Sequence, residues 1–328
     1  MKLFSQVPIE NPGFDIQYQD GVLCLGSCFV SEIGQKINSA KFQTLINPFG
    51  TQFHPLAIEN VLSRIYTRTY YTDQEIYRFK DLYFSWDHSH LYSKPKLNQV
   101  LDKVNESVEL GNEFLGKTNV FIFTLGTAWA YFLKGGFYVS NCHKVPQKYF
   151  EKHLLTSKQV YDALKNIIFM VKDVRPNAHI IFTVSPVRHT RDGFRENQVS
   201  KGVLQQALHY LMIEFPEINY FPSYELVLDE MRDYRYFDKD LVHLNELGVD
   251  YIWDKFKQYY FSDSTKKIMQ GIDKAIQTLS HKPINADSIE YRKLLFDTLK
   301  KVETLALELP KNSLTQEIEE LKNRIHVH

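Results

Sequence analysis

The sequence is poor in cysteine and carries no net charge. Its 328 residues include three cysteines, Cys24, Cys28 and Cys142, with no Cys-x-x-Cys pair among them. The odd number and the wide spacing argue against a disulfide framework and against a structural zinc site. The 39 Lys and Arg equal the 39 Asp and Glu. No long-range field gathers a polyanion, so nucleic acid is not an expected partner. No apolar run approaches the ~20 residues that cross a bilayer, and no membrane partner is expected. The segment Met1 to Pro8 lacks the apolar stretch of a signal peptide, so the expected location is cytoplasmic. Glycine is sparse, and Gly126-Thr127 is not followed by the Lys-Ser/Thr of a phosphate loop.

What is present is hydrophobic and aromatic. The chain is 44% hydrophobic, with 23 Phe and 20 Tyr, enough for a large core with many half-buried hydroxyls. Short apolar runs at Gly21 to Leu25, Asn119 to Leu125, His179 to Val184 and Ile218 to Phe221 read as buried strands. Between them, helical periodicity marks Phe29 to about Ala40, Pro55 to Tyr66, Lys103 to Leu115, Ser157 to Asp173 and Asn197 to Ile213. A further helix covers Asn245 to Tyr259, with Asn245 as its cap. Trp129 to Val139, broken by Gly135-Gly136, reads as a hairpin, and residues 67 to 98 as an irregular aromatic excursion beside the site. This alternation predicts a three-layer α/β/α sandwich around a parallel sheet. Ligands of such sheets bind beyond the carboxyl ends of the strands, where Ser27, Thr127 and Ser185 should gather. From Ser262 onward Lys, Glu and Leu dominate and only helices are expected. The expected division is a main domain over 1–261 and a helical extension over 262–328. That extension is expected to pack on the main domain or to form a homodimer.

Two short motifs carry chemistry. Leu25-Gly26-Ser27-Cys28-Phe29 follows the first strand, and Asp240-Leu241-Val242-His243 precedes the helix capped by Asn245. Together they supply a serine, a histidine and a carboxylate, the groups that make a hydroxyl nucleophilic. A serine between strand and helix is most often a plain helix cap. An Asp three residues before a His in a loop reaches one imidazole nitrogen and leaves the other free. Cys28, next in the helix, is expected to point away from Ser27 into packing.

Gly26-Ser27-Cys28-Phe29-Val30 resembles the motif that names the GSCFA family, with Val in the last place. That family in turn resembles the SGNH/GDSL hydrolases, a flavodoxin-like α/β/α fold. The resemblance covers about residues 20 to 260. It implies Ser27 as nucleophile, His243 as base and Asp240 as its orienting acid. It implies an oxyanion hole from the backbone of Ser27 and of Gly50, in Asn47-Pro48-Phe49-Gly50, with help from Thr127. Where the superfamily carries Gly-x-Asn, this chain has Gly126-Thr127-Ala128, so the side-chain donor is missing, and the Thr127 hydroxyl, a backbone N–H of this loop or Asn141 is the candidate substitute. The implied activity is ester hydrolysis, on an acylated sugar or other small ester, without metal or organic cofactor.

Asn141, His143, Arg188 and His189 follow strand ends and are expected to touch substrate, with Arg188 or Arg191 gripping a carboxylate or phosphate. Trp86 is a candidate for stacking on a sugar, and Asp87, His88 and His90 have donor chemistry but weak metal-ligand spacing. Two other readings stand beside the hydrolase: an acyltransferase with the same triad, and a non-catalytic glycan- or ligand-binding protein that keeps the fold.

Overall fold

The computed structural model describes residues 5–327. The strands are β1 (Gly21–Gly26), β2 (Gln43–Ile46), β3 (Tyr77–Phe79), β4 (Leu82–Phe84), β5 (Thr118–Leu125), β6 (Trp129–Leu133), β7 (Tyr138–Val139), β8 (Phe150–Leu154), β9 (His179–Val184) and β10 (Asn219–Tyr220). The helices are α1 (Cys28–Ser39), α2 (Pro55–Thr67), α3 (Leu97–Leu115), α4 (Ser157–Val174), α5 (Phe194–Glu214), α6 (Ser223–Glu225), α7 (Glu246–Tyr260), α8 (Asp263–Ser280), α9 (Ile289–Ala306) and α10 (Thr315–Val327).

Five strands form one parallel sheet in the order β10-β9-β5-β1-β2. Both faces are covered, which is why β1 is buried along its whole length. Leu23 and Leu25 face α2 to α5, whereas Val22 and Cys24 face α1 and α7. The architecture is therefore the expected α/β/α sandwich. The chain leaves β1 for β2 on one side and returns to β5 on the other. The carboxyl ends of β1 and β5 thus flank the point where strand order reverses, the usual ligand crevice of such sheets.

The apolar stripes of α8, α9 and α10 face the chain's own core. Met269, Ile272, Leu295, Val302 and Leu321 join the cluster formed by α1 and α7, and Lys41 pairs with Glu317. A second copy is not needed to bury them.

Several elements escaped the sequence reading. Strand β2 is an edge strand, half-exposed throughout, so its Gln-Thr-Leu-Ile lacks a buried-strand signature. Strand β8 joins β6 and β7 in an antiparallel sheet, but its Glu-Lys-His centre hides it. Helix α3 starts at Leu97, six residues before the expected Lys103. The excursion at 67 to 98 contains the β3–β4 hairpin and packs inward, burying Phe84 and Trp86.

Candidate active site

Ser27 sits where β1 becomes α1. Gly26 makes the turn at φ +138°, and a Cβ there would lie 2.2 Å from the Thr124 carbonyl oxygen, so only glycine fits. The Asn47 side chain locks the turn: its Oδ1 accepts from the Gly26 N–H at 2.8 Å and its Nδ2 donates to Ser31 Oγ at 3.0 Å. Ser27 stands in the cap position of α1, yet its hydroxyl makes no capping bond. Its Oγ is buried and has no hydrogen-bond partner among the described residues. A buried hydroxyl without a partner costs roughly 1–3 kcal/mol, and a serine retained only as a cap would have avoided that.

Ser27 lines a cavity of about 610 Å³ that also reaches Thr127, Ser185, Asn141, Arg188, His189, Asp240 and His243. All three triad candidates therefore share one cavity. Asp240 Oδ2 lies 2.6 Å from His243 Nδ1, and Asp240 Oδ1 accepts from the N–H groups of Val242 and His243, each at 2.9 Å. The imidazole bond and these amides push the Asp240 carboxyl down to about 2. The pair is half-exposed, and holding Nδ1 with a carboxylate leaves Nε2 as the free ring nitrogen. Leu241, at φ +59°, makes the tight turn between acid and base. Asn245 caps α7 through the Gly248 N–H at 3.0 Å, as expected, and fixes the end of this loop.

The expected oxyanion donors stand differently. The Ser27 N–H donates to Thr124 O at 3.1 Å and the Gly50 N–H to Asn47 O at 2.7 Å. Gly50 is not on the cavity wall. It is glycine because φ is +81° and a Cβ would meet Ser89 Oγ. Thr127 is on the wall, but its N–H donates to Phe53 O and its hydroxyl is shared with Ser200 and the Trp129 N–H. Ala128 is fully buried, with its N–H on Ser200 Oγ at 2.7 Å. Asn141 is different. Its Oδ1 accepts from the His143 N–H at 2.9 Å, which fixes the amide orientation, and its NH₂ has no partner among the described residues. The Ser140 hydroxyl beside it is buried and also unpartnered.

Three further expectations change. His143 is off the cavity wall. It stacks on Phe84 at 4.2 Å and donates from Nε2 to Ser85 O at 2.8 Å, so it holds the excursion together. Trp86 is 6% exposed and His88 fully buried, so neither stands at a rim. His88 lies between the Ser85 and Ser107 hydroxyls, both at 3.1 Å. Cys28 does line the cavity, because the first turn of α1 faces it. Burial raises its thiol pKa, so it is a poor thiolate at neutral pH. Among the described residues no cluster of His, Cys, Asp and Glu has the makings of a metal site.

Sequence reasoning missed the floor of the site. One face of α5 carries Asn197, Ser200 and Lys201 in line with Leu204 and Leu208, all buried. Asn197 Oδ1 accepts from the His189 N–H, Ser200 holds Thr127 and Ala128, and Lys201 Nζ donates to Gly126 O and Ser185 O, each at 2.6 Å. The signal was polar residues at helical spacing within an apolar stripe. Burial pulls the Lys201 ammonium down to about 7. Burial likewise lowers His189 and His54, each to about 4. His54 caps α2 through the Ala57 N–H and donates to Val139 O.

No helix among the described residues is long and apolar enough to cross a membrane. No curated protein matches the chain. The model of the GSCFA family matches residues 21–256, which hold Ser27 and the Asp240–His243 pair, and that of the GSCFA domain protein C-terminal domain matches residues 272–327. The chain belongs to the GSCFA family.

Proposed function

We propose that this chain is a serine ester hydrolase acting on an acyl, acetyl-like ester of a sugar or other small alcohol. The observation that carries the reading is Ser27. Its hydroxyl is buried, bonded to nothing and unused as a cap, on the wall of a cavity that also holds a carboxylate-oriented histidine. In this reading a bound ester brings Ser27 Oγ and His243 Nε2 together. Ser27 attacks the carbonyl, His243 takes the proton and returns it to the leaving alkoxide, and Asp240 stabilises the imidazolium. Water then repeats the sequence on the acyl-enzyme. The oxyanion falls to the Asn141 NH₂ and the amides of Cys28 and Phe29 in α1, since the N–H groups of Ser27, Val30, Gly50 and Thr127 are committed. The positive end of α1 favours the same charge.

That commitment of three expected donors favours a second reading, a binding protein that keeps the fold. An acyltransferase would use the same groups with an alcohol in place of water. Turnover of p-nitrophenyl acetate and butyrate by wild type and Ser27→Ala separates these readings. The hydrolase reading expects turnover that falls on acidification and vanishes in Ser27→Ala. Equal inertness leaves the binding protein, or a transferase to be sought with an added sugar acceptor. Equal activity makes Ser27 a structural residue only.

A further inference from the structure

We propose that Arg188 and Arg191 form an oxyanion-binding subsite beside Ser27, so that the ester substrate carries a carboxylate or phosphate group. The word substrate rests on the hydrolase reading, whereas the subsite rests on the arginines alone. Both line the cavity that holds Ser27 and His243. Neither guanidinium has a hydrogen bond or ion pair among the described residues. The acids of the same wall are already engaged: Asp192 pairs with Lys152, and Asp240 with His243. Among the described residues no acid lining this cavity is left to answer the two cations. Among the described residues Arg78, Arg175 and Arg292 also lack a carboxylate partner, but none of them lines this cavity. Since the chain's net charge is zero, this excess is local rather than compositional.

A guanidinium presents a planar fork of N–H donors that matches the oxygens of a carboxylate or phosphate. In a cleft with low-dielectric walls such charges concentrate anions far more than they would on open surface. Arg188 is half-buried between the β9 end and Tyr224. Arg191 lies on the exposed turn Thr190–Asp192 near Tyr131. One cation is thus half-buried and the other exposed at the cavity wall.

A matched pair of esters tests this. 4-Acetoxybenzoate and 4-acetoxybenzamide share acetyl group and ring and differ in charge. At low ionic strength the wild type should show a kcat/KM at least about tenfold higher for the benzoate, expressed in KM. The preference should shrink in 1 M salt. Arg188→Gln with Arg191→Gln should remove the preference by lowering the benzoate kcat/KM about tenfold, with a clearly smaller change for the benzamide, and the double Lys variant should restore part of it. Equal kcat/KM for both esters in wild type, or an equal loss on both in the double variant, overturns the proposal. If neither ester is hydrolysed, the hydrolase reading fails and titration calorimetry decides the subsite separately. Benzoate or phenyl phosphate should then bind wild type but not the double Gln variant, and benzamide should bind neither. The tighter of the two anions identifies carboxylate or phosphate as the natural group. Absence of binding by both anions overturns the subsite.

Discussion

The chain holds two clusters of serine, histidine and aspartate, and they differ in how completely they are satisfied. In the aromatic excursion, His88 is fully buried, both ring nitrogens are met by serine hydroxyls, and neighbouring Asp87 accepts from Tyr71. Phe49 stacks on the His88 ring at 4.2 Å. Burial drives that imidazole well below its ordinary titration range. At the rim of the parallel sheet, His243 is half-exposed with one nitrogen held and one free, and Ser27 has no partner at all. In the first cluster the imidazole is fully spent, and among the described residues one Asp87 carboxylate oxygen is left without a partner. The second has an unmet hydroxyl, an unmet amide and unmet cations around one cavity. Residue type alone does not separate a structural cluster from a reactive one; the unspent hydrogen-bonding capacity does.

Exchanging members of the two clusters should sharpen that contrast. The largest effect belongs to Ser27→Ala and His243→Ala. Each should lower ester turnover by about 10⁴-fold or more, and the double variant should lose little beyond either alone, because the pair acts as a unit. A steady-state assay of all three checks this, and additive losses would separate the two residues. Next comes Asn141→Ala, which removes a side-chain oxyanion donor. It should lower kcat by about 10²–10³-fold with little change in KM.

His88→Ala should behave in the opposite way. Chemical denaturation should show a loss of about 2–4 kcal/mol, from a cavity and from serine hydroxyls left without partners. The folded fraction should keep its kcat. An effect of similar size, visible only as a pH dependence, concerns Lys201. Its folded-state value near 7 lies below the ordinary 10.5. Below pH 7 both folded and unfolded states carry the charge, and the folded state bears the full cost of burying it. Between 7 and 10.5 the folded state has released a proton that the unfolded state keeps, so stability rises with pH. Wild type should therefore gain on Lys201→Met across that interval, with a slope of order 1 kcal/mol per pH unit. Parallel stability curves would refute it.

Much of this rim was legible in the sequence because local pattern decides it. The apolar run Gly21 to Leu25, the glycine turn and the period of α1 place Ser27 without any tertiary information. The spacing from Asp240 to His243 and the cap at Asn245 do the same for the second motif. The layered fold followed from alternation of strand and helix. What escaped depended on partners distant in the chain. Asn47 reads as a loop residue until its side chain is seen holding Gly26, 21 positions away. Lys201 carries no local signal of its role, which rests on its Nζ bonds to Gly126 O and Ser185 O, 75 and 16 positions away. His143 has the composition of a site residue, and only Phe84 and Ser85 show it to be a packing residue. Gly50 was expected as an oxyanion donor from motif likeness, whereas its N–H closes a local turn onto Asn47.

A Ser27 hydroxyl that is a nucleophile served by His243 should react with an electrophilic phosphonate. Labelling with a fluorophosphonate, followed by intact mass and peptide mapping, tests it without knowledge of the natural ester. A single adduct should form on Ser27 in wild type and be lost in His243→Ala. An unmodified protein, or an adduct whose rate does not depend on His243, would contradict it.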